Sequence, residues 1–106
     1  MTATLTSYAL LFLAGALLCN CIPHLTSGLR GEAFPTPFAD PPGKGLSSPL
    51  LNFLWGAANV SLGIWLLFPL ADADPRWGRV AVAVGFVAIG VYLARHFGQV
   101  RGSRER

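Results

Sequence analysis

Three long apolar stretches alternate with shorter polar ones along this chain of 106 residues. No charged residue occurs from Thr2 to Gly28, from Gly45 to Ala71, or from Val80 to Ala94. A helix needs roughly 20 apolar residues to cross the ~30 Å hydrocarbon core of a bilayer, and the first two stretches supply them. The third has fifteen uncharged residues, which give about 22 Å of helix at a rise of ~1.5 Å per residue. It spans a bilayer only if its flanking residues complete it.

The pattern predicts an all-α membrane protein with three transmembrane helices, near residues 4–22, 49–69 and 77–97. The third span is completed at the two interfaces by aromatic and outward-reaching basic residues: Trp77, Arg79, Arg95 and Phe97. The length allows one membrane domain over 1–106, with a basic tail at 98–106. The first helix is expected to be retained rather than cleaved as a signal peptide, because no Lys or Arg precedes it.

Composition and charge strengthen the membrane prediction and add an orientation. The chain is 53% hydrophobic and 12% charged, with a mean hydropathy of +0.52, whereas an ordinary soluble domain is nearer a quarter charged. With the N-terminus outside, six basic residues face the cytoplasm and two, Arg76 and Arg79, face the other side. The positive-inside rule therefore favours an orientation with the N-terminus outside and the C-terminus inside. The net charge of +3 then indicates anionic lipid rather than nucleic acid as the partner.

The segment between the first two helices, residues 23–48, has an unusual composition. The stretch FPTPFADPPGKGLSSP, residues 34–49, contains five prolines, two glycines and two phenylalanines, Phe34 and Phe38. Residues that precede proline are pushed toward extended backbone, while Gly43 and Gly45 permit sharp turns. Irregular backbone exposed to lipid would leave polar groups unpaired. We therefore predict an ordered cap at the cytoplasmic interface, which is either a rigid clip for the first two helices or a surface that contacts a ligand or partner.

Prolines also mark the expected helix ends. Ser48-Pro49 and Asp74-Pro75 each place an N-cap residue before a proline at the first helical position. Pro23 is expected to close the first helix. His24 follows directly, and we expect it to anchor the loop through a hydrogen bond.

The second helix carries a polar face. Asn52, Gly56, Asn59 and Gly63 are spaced by four, three and four residues, which places them on one side of a helix. Amide side chains in hydrocarbon need partners, and glycines let another backbone approach closely enough to supply them. Trp55 lies near the interfacial end of this helix. Two interpretations stay open: a helix–helix contact, or a polar site for a small ligand or ion centred on Asn59.

A metal site is a weaker hypothesis. Cys19, Cys21 and His24 form C-x-C-x2-H, and His96 is expected at the same level on the third helix. Thiolate and imidazole ligands suit zinc or copper(I). Residues two apart on a helix point to different faces, however, and free cysteines in apolar helices are usually small hydrophobic residues. We therefore predict no metal and no cofactor.

Three sequence elements recur together in a group of small bacterial integral membrane proteins of unassigned function, which this chain resembles. They are N-x-x-P-H at residues 20–24, the loop F-P-T-P-F-A/P-P-G-x-G-x-S-S-P at 34–49, and N-x-x-W-G at 52–56. The resemblance covers about residues 20 to 63. It implies a membrane protein of this three-helix kind, and it brings no reaction and no catalytic residue.

The residues point to binding rather than catalysis, because no carboxylate pair or nucleophile–base arrangement stands out. We expect a non-catalytic binding, scaffold or accessory role through the stiff cytoplasmic loop. Expected partners are the bilayer, anionic headgroups held near Arg30 and Lys44, and a helix of a second copy or another membrane protein. The alternative is an oligomeric transporter or channel for a small solute, lined by the asparagine face of helix 2. The candidate binding residues are His24, Arg30, Phe34, Phe38, Lys44, Asn52, Trp55 and Asn59.

Overall fold

The computed structural model describes residues 2–70 and 72–105. It contains three helices, α1 (Leu5–Leu29), α2 (Pro49–Leu70) and α3 (Pro75–Glu105). Within the described residues there is no strand, and the β-structure consists of one isolated antiparallel bridge between Phe34 and Ser47. All three helices are long and apolar enough to cross a membrane. The predicted all-α fold with three transmembrane helices is therefore confirmed.

Most apolar side chains of the three helices face outward. The most apolar part of α3 is only 6% buried inside the molecule, and those of α2 and α1 are 22% and 33% buried. Large side chains such as Trp65 and Phe68 are largely exposed. In water, apolar exposure costs roughly 25 cal/mol per Å², whereas hydrocarbon removes that cost. The chain is a multi-pass membrane protein.

The core of the molecule lies on α1. This helix packs against both α2 and α3, while α2 and α3 hardly touch each other. Its buried residues consequently serve two interfaces, one on each side, and they recur along its length: Ser7, Leu11, Ala14, Gly15, Cys19, Cys21, His24 and Ser27.

The contact between α1 and α2 uses the polar face of α2. Asn52, Gly56, Asn59 and Gly63 are all buried. A Cβ added at Gly56 would lie 2.8 Å from Cγ of Leu25, so the missing side chain is what lets α1 approach. Of the two interpretations of this face, the structure shows the helix–helix contact.

The contact between α1 and α3 is a close crossing of two backbones. A Cβ added at Gly15 of α1 would overlap the carbonyl oxygen of Val82, and one at Gly85 of α3 would overlap that of Phe12. Each helix therefore places a glycine against the other's main chain, which is the geometry that small residues permit between membrane helices.

Two predicted boundaries are wrong at α1. The helix does not close at Pro23 but continues to Leu29, so the loop begins at Arg30 rather than at residue 23. Pro23 lacks the amide hydrogen that would donate to the Cys19 carbonyl four residues earlier, so the helix loses one hydrogen bond there and still continues. Packing holds the last turns in place, because Gly28 lies directly against the backbone of Phe53 on α2.

The third helix is also longer than the predicted 77–97. It begins at Pro75, where Asp74 Oδ1 accepts from the Trp77 amide as an N-cap, and it continues to Glu105. The basic tail over 98–106 is thus helical as far as Glu105, and Arg106 lies outside the described residues. The side chain of Arg104 donates to the carbonyl of Lys44 at 2.7 Å, so the loop gives this end of the helix a partner.

The end of the molecule away from the loop is also fastened. Tyr8 on α1 donates its hydroxyl to Oδ2 of Asp74 at 2.5 Å, which ties α1 to the turn between α2 and α3. Thr4 caps the start of α1, and Ser7 reciprocates by accepting from the Thr4 amide.

Replacing Gly85 with alanine is expected to lower the free energy of unfolding by about 1–3 kcal/mol, because the added methyl meets a rigid carbonyl of α1. Gly98→Ala on the same helix is the matched control. No atom lies within 4 Å of a Cβ at Gly98, and alanine favours helix over glycine. Thermal unfolding in mild detergent should show a lower Tm for Gly85→Ala alone. Equal Tm values would contradict the close crossing.

Candidate functional site

The loop over residues 30–48 is folded and internally hydrogen-bonded. Phe34 and Ser47 exchange two backbone hydrogen bonds, at 3.2 and 3.0 Å, which close the base of the loop. The hydroxyls of Thr36 and Ser47 lie 2.6 Å apart in a buried position. Further out, the Gly43 amide donates to the Thr36 carbonyl at 2.8 Å. The segment is therefore an ordered cap.

Two glycines make the tip of the loop possible. Gly43 has φ +71°, in the left-handed region that favours glycine. Gly45 approaches the Asp40 carbonyl so closely that a Cβ would overlap it. The peptide bond from Asp40 to Pro41 is cis. The expected sharp turns at Gly43 and Gly45 thus correspond to specific backbone requirements.

Asn52 connects the loop, α2 and α1. Its side chain is fully buried, and its Nδ2 lies 2.9, 3.2 and 3.0 Å from the carbonyl oxygens of Phe34, Ser47 and Ser48. Its Oδ1 lies 2.8 Å from Nδ1 of His24, which is 2% exposed. An amide oxygen is only an acceptor, so Nδ1 of His24 must carry the proton and donate it. His24 anchors the loop as predicted, although through α1 and Asn52 rather than from the loop itself.

The third helix holds the loop tip. Nε2 of His96 lies 2.7 Å from the Gly43 carbonyl. Because a carbonyl oxygen can only accept, Nε2 of His96 is the donor. Together with the bond from Arg104 to the Lys44 carbonyl, this contact means that the loop is bonded to α2 and α3 and, through Asn52, to α1.

Aromatic rings fill the space between the loop and the helix ends. Phe34 meets His24 edge-on at a centroid distance of 5.6 Å and packs against Phe97 at 4.6 Å. Phe38 meets Trp55 edge-on at 5.1 Å. Both predicted loop phenylalanines therefore rest on helices, and edge-to-face contacts of this kind contribute about 0.5–1.5 kcal/mol beyond the area they bury.

A second polar contact lies deeper between α1 and α2. Nδ2 of Asn20 donates to Oδ1 of Asn59 at 2.9 Å, and Nδ2 of Asn59 donates to the Trp55 carbonyl at 2.8 Å. Asn59 is 3% exposed. It is thus a helix–helix contact residue, paired within the same chain.

Beneath the loop lies a partly open crevice of about 320 Å³, which we call the loop-capped crevice. The facing sides of α1 and α3 form its apolar walls, with Leu13 and Leu17 on one side and Ile89 and Leu93 on the other. Trp55 of α2 also lines the crevice, and so do the loop segment 35–37 and Gly43. Its polar lining comes from Asn20, His24, Thr36, Trp55, Tyr92 and His96.

One polar atom of this lining lacks a partner. Nε1 of Trp55 is buried and, among the described residues, is the one buried side-chain nitrogen or oxygen without a hydrogen bond. Leaving such a donor unpaired costs about 1–3 kcal/mol. An unsatisfied group of this kind in a native protein calls for an explanation, and here it belongs to a residue that lines the crevice.

The two predicted anion-binding residues line different hollows. Arg30 lines a surface hollow with Glu32 and Arg101, while Lys44 lines a neighbouring one with His96; Val100 and Arg104 belong to both. Arg30 donates two hydrogen bonds to Glu32, at 3.2 and 3.0 Å. This bonding and the guanidinium charge lower the pKa of Glu32 from its usual range. Arg30 is therefore already paired with a carboxylate.

The weak metal hypothesis is not supported by any arrangement of ligands among the described residues. In the part of the chain that the structure describes, no three His, Cys, Asp or Glu side chains come together in a group that could hold a metal ion. Cys19 and Cys21 are buried free thiols on α1, and Cys21 Sγ donates to the Leu18 carbonyl at 2.9 Å.

Sequence reasoning missed four residues of the site: Asn20, Tyr92, the loop-holding role of His96, and Phe97. The signal for the α3 residues is a cluster of rings within a turn and a half, where Tyr92 stacks on His96 at 5.8 Å and Phe97 meets the His96 ring at 5.2 Å. The signal for Asn20 is its position four residues before His24, on the same face of α1.

Comparison of the chain with protein-family models, with curated proteins and with solved structures gives no match. The function is therefore inferred from the loop and crevice themselves.

Asn52→Leu is expected to release the loop, because it removes the side-chain donor shared by the carbonyls of Phe34, Ser47 and Ser48 and the acceptor of His24 Nδ1. Hydrogen exchange at the amides of Phe34 and Ser47 should speed up by about tenfold or more. Asn59→Leu is the control, since it breaks the α1–α2 bond to Asn20 without touching the loop. Similar loop exchange in both variants would show that Asn52 does not hold the loop.

Proposed function

We propose that this chain is a non-catalytic binding protein of a bacterial inner membrane, and that the loop-capped crevice is its binding site. The observation that carries the proposal is an ordered loop, bonded to α2 and α3 and through Asn52 to α1, that closes one end of an apolar crevice lined by a few polar side chains. Apolar pockets with a few converging polar groups are the usual form of small-molecule sites. The ligand is a membrane-soluble molecule whose polar end stops beneath the loop.

The shape of the crevice favours a small molecule over a transmembrane helix of a partner. A helix with its side chains is about 10–12 Å across, and it would have to continue past the end that Pro35, Thr36 and Pro37 line. Thr36 is 1% exposed and hydrogen-bonded to Ser47, so this segment is fixed in place. A molecule with an apolar body and a terminal polar head meets no such obstacle.

The rigidity of the loop favours binding as well. Ordering a loop at the moment of association would cost conformational entropy and weaken affinity. Here the loop is ordered by contacts that lie within the chain, chiefly those of Asn52 and His96. The scaffold role of the loop and its ligand-contacting role, which the sequence leaves as alternatives, are thus compatible.

The proposed orientation places the N-terminus outside and the loop in the cytoplasm. It rests on the distribution of basic residues and on the resemblance to small bacterial membrane proteins. Lys44 and Arg104 then face the anionic inner leaflet, where each basic residue contributes about 1 kcal/mol of attraction. The outward apolar faces of α2 and α3 contact lipid, a second copy of the chain or another membrane protein.

An oligomeric transporter or channel lined by the asparagine face is the second candidate, and the contacts count against it. Asn52 and Asn59 are buried inside one chain and bonded to α1. A solute path along that face would require α1 to move away and break the hydrogen bonds of His24 with Asn52 and of Asn20 with Asn59. For this reason we place binding first.

The orientation is tested with single added cysteines. Thr2→Cys should react with a membrane-impermeant maleimide in intact cells, and Ser103→Cys should react only after permeabilisation. The natural chain is the control, because Cys19 and Cys21 are buried and should stay unlabelled. The reverse pattern would place the loop outside the cell.

The crevice is tested by filling it. Ala16 lines the crevice on α1, and Ala16→Phe should abolish the small-molecule adduct that we expect on the natural chain in native mass spectrometry from mild detergent. Ala88→Phe is the control, because Ala88 is exposed on α3 and is not among the residues that line the crevice. An adduct that survives Ala16→Phe, or none on the natural chain, would overturn the proposed site.

A further inference from the structure

The hydrogen-bonding state of the crevice narrows the chemistry of its ligand. We infer that the loop-capped crevice recognises a neutral hydroxyl head on an apolar molecule, that is, a lipid-soluble alcohol or phenol. This inference rests on the proposed binding function and adds the ligand class. It follows from which hydrogen-bond donors and acceptors of the crevice residues are already bonded within the protein.

His24 donates its Nδ1 proton to Oδ1 of Asn52. The orientation of the Asn52 amide is fixed, because its nitrogen faces three carbonyl oxygens and its oxygen must therefore face His24. Nδ1 of His24 is then the protonated nitrogen, and in the neutral imidazole Nε2 carries a lone pair. His24 lines the crevice, and no described residue donates to its Nε2. Its free capacity is that of an acceptor.

His96 likewise has one ring nitrogen that donates within the protein and one that is free to accept. Its Nε2 donates to the Gly43 carbonyl at 2.7 Å, so Nδ1 of the neutral ring carries the lone pair. The ring lines the crevice and stacks on Tyr92, with an interplanar angle of 12°. Asn20 adds a further acceptor, because one N–H of its Nδ2 is used on Asn59 and its Oδ1 has no partner among the described residues.

Trp55 does not supply a matching donor. Its Nε1–H has no acceptor, but the atom is buried among the protein's own atoms, so a ligand head does not reach it in this conformation. The lining residues therefore present the free acceptors of His24, His96 and Asn20. A ligand head that matches one of them must donate a proton, and a hydroxyl group does this without carrying a charge.

The remaining head groups fit less well. None of the described residues that line the crevice is Asp, Glu, Lys or Arg. A carboxylate or phosphate head would lie in an apolar site without a counter-charge, and so would an ammonium, which is costly in either case. An ester or ketone has no proton to donate and leaves all of these acceptors unmatched. A hydroxyl is the uncharged head that donates to one of them.

The test uses the fluorescence of Trp55 in nanodiscs. A chain with Trp65→Phe and Trp77→Phe retains Trp55 alone, and both replaced residues are exposed, at 70% and 58%, so the fold should tolerate the changes. Three bromine-labelled probes with the same long chain are titrated: an alcohol, its methyl ester and the corresponding carboxylate. A chain that retains only Trp65, which faces lipid, is the control for quenching by probe dissolved in the bilayer.

The alcohol should quench Trp55 saturably, with half-saturation at a roughly tenfold lower mole fraction than the ester, since one additional hydrogen bond is worth about that factor. Trp65 should show only unsaturable quenching. Saturable binding of the ester or carboxylate at least as tight as that of the alcohol would overturn the hydroxyl head and leave the binding function standing. No saturable quenching with any probe would overturn both.

A measurement on the natural chain makes the result independent of the tryptophan replacements. In native mass spectrometry, an excess of the unlabelled alcohol should displace the small-molecule adduct, while the same excess of the methyl ester should not. Displacement by the ester alone would contradict the inferred head.

Discussion

The architecture depends on the burial of one amide, that of Asn52, in surroundings where water cannot satisfy it. A buried polar group is tolerable only when its hydrogen bonds are made. Asn52 achieves this by drawing together the base of the loop, the first turn of α2 and His24 on α1. Loop shape, helix register and imidazole tautomer are therefore fixed by the same side chain. Because His24 also lines the crevice, the same arrangement decides which of its ring nitrogens is free to accept a hydrogen bond there.

The two interfaces of α1 differ in kind. Toward α2 the contact is polar, with two asparagine-centred hydrogen-bond clusters between the helices. Toward α3 the crossing is made by Gly15 and Gly85 against main chain, so it depends on close packing. Away from that crossing the side chains of α1 and α3 are larger, and the helices leave the space that forms the crevice. The α1–α2 interface is closed by hydrogen bonds, whereas the crevice lies between α1 and α3.

The sequence predicts the three spans because hydropathy and length are properties of each stretch by itself. It predicts the buried face of α2 because the spacing of Asn52, Gly56, Asn59 and Gly63 is local to one helix. It does not predict that α1 continues through Pro23, since that depends on packing against α2. Nor does it predict the bond from His96 to Gly43, whose partners lie 53 residues apart. The crevice combines segments that are distant in the sequence, so no local pattern predicts it.

The central position of α1 has a consequence for biosynthesis. This helix is synthesised before α2 and α3, and the partners of its polar side chains lie 28 residues further on for His24 and 39 for Asn20. Until α2 emerges, the nascent span carries unmatched imidazole and amide groups in the insertion machinery or the bilayer. The loop tip is fastened later still, when His96 arrives on α3. The crevice, whose lining includes residues of all three helices, is complete only when α3 is in place.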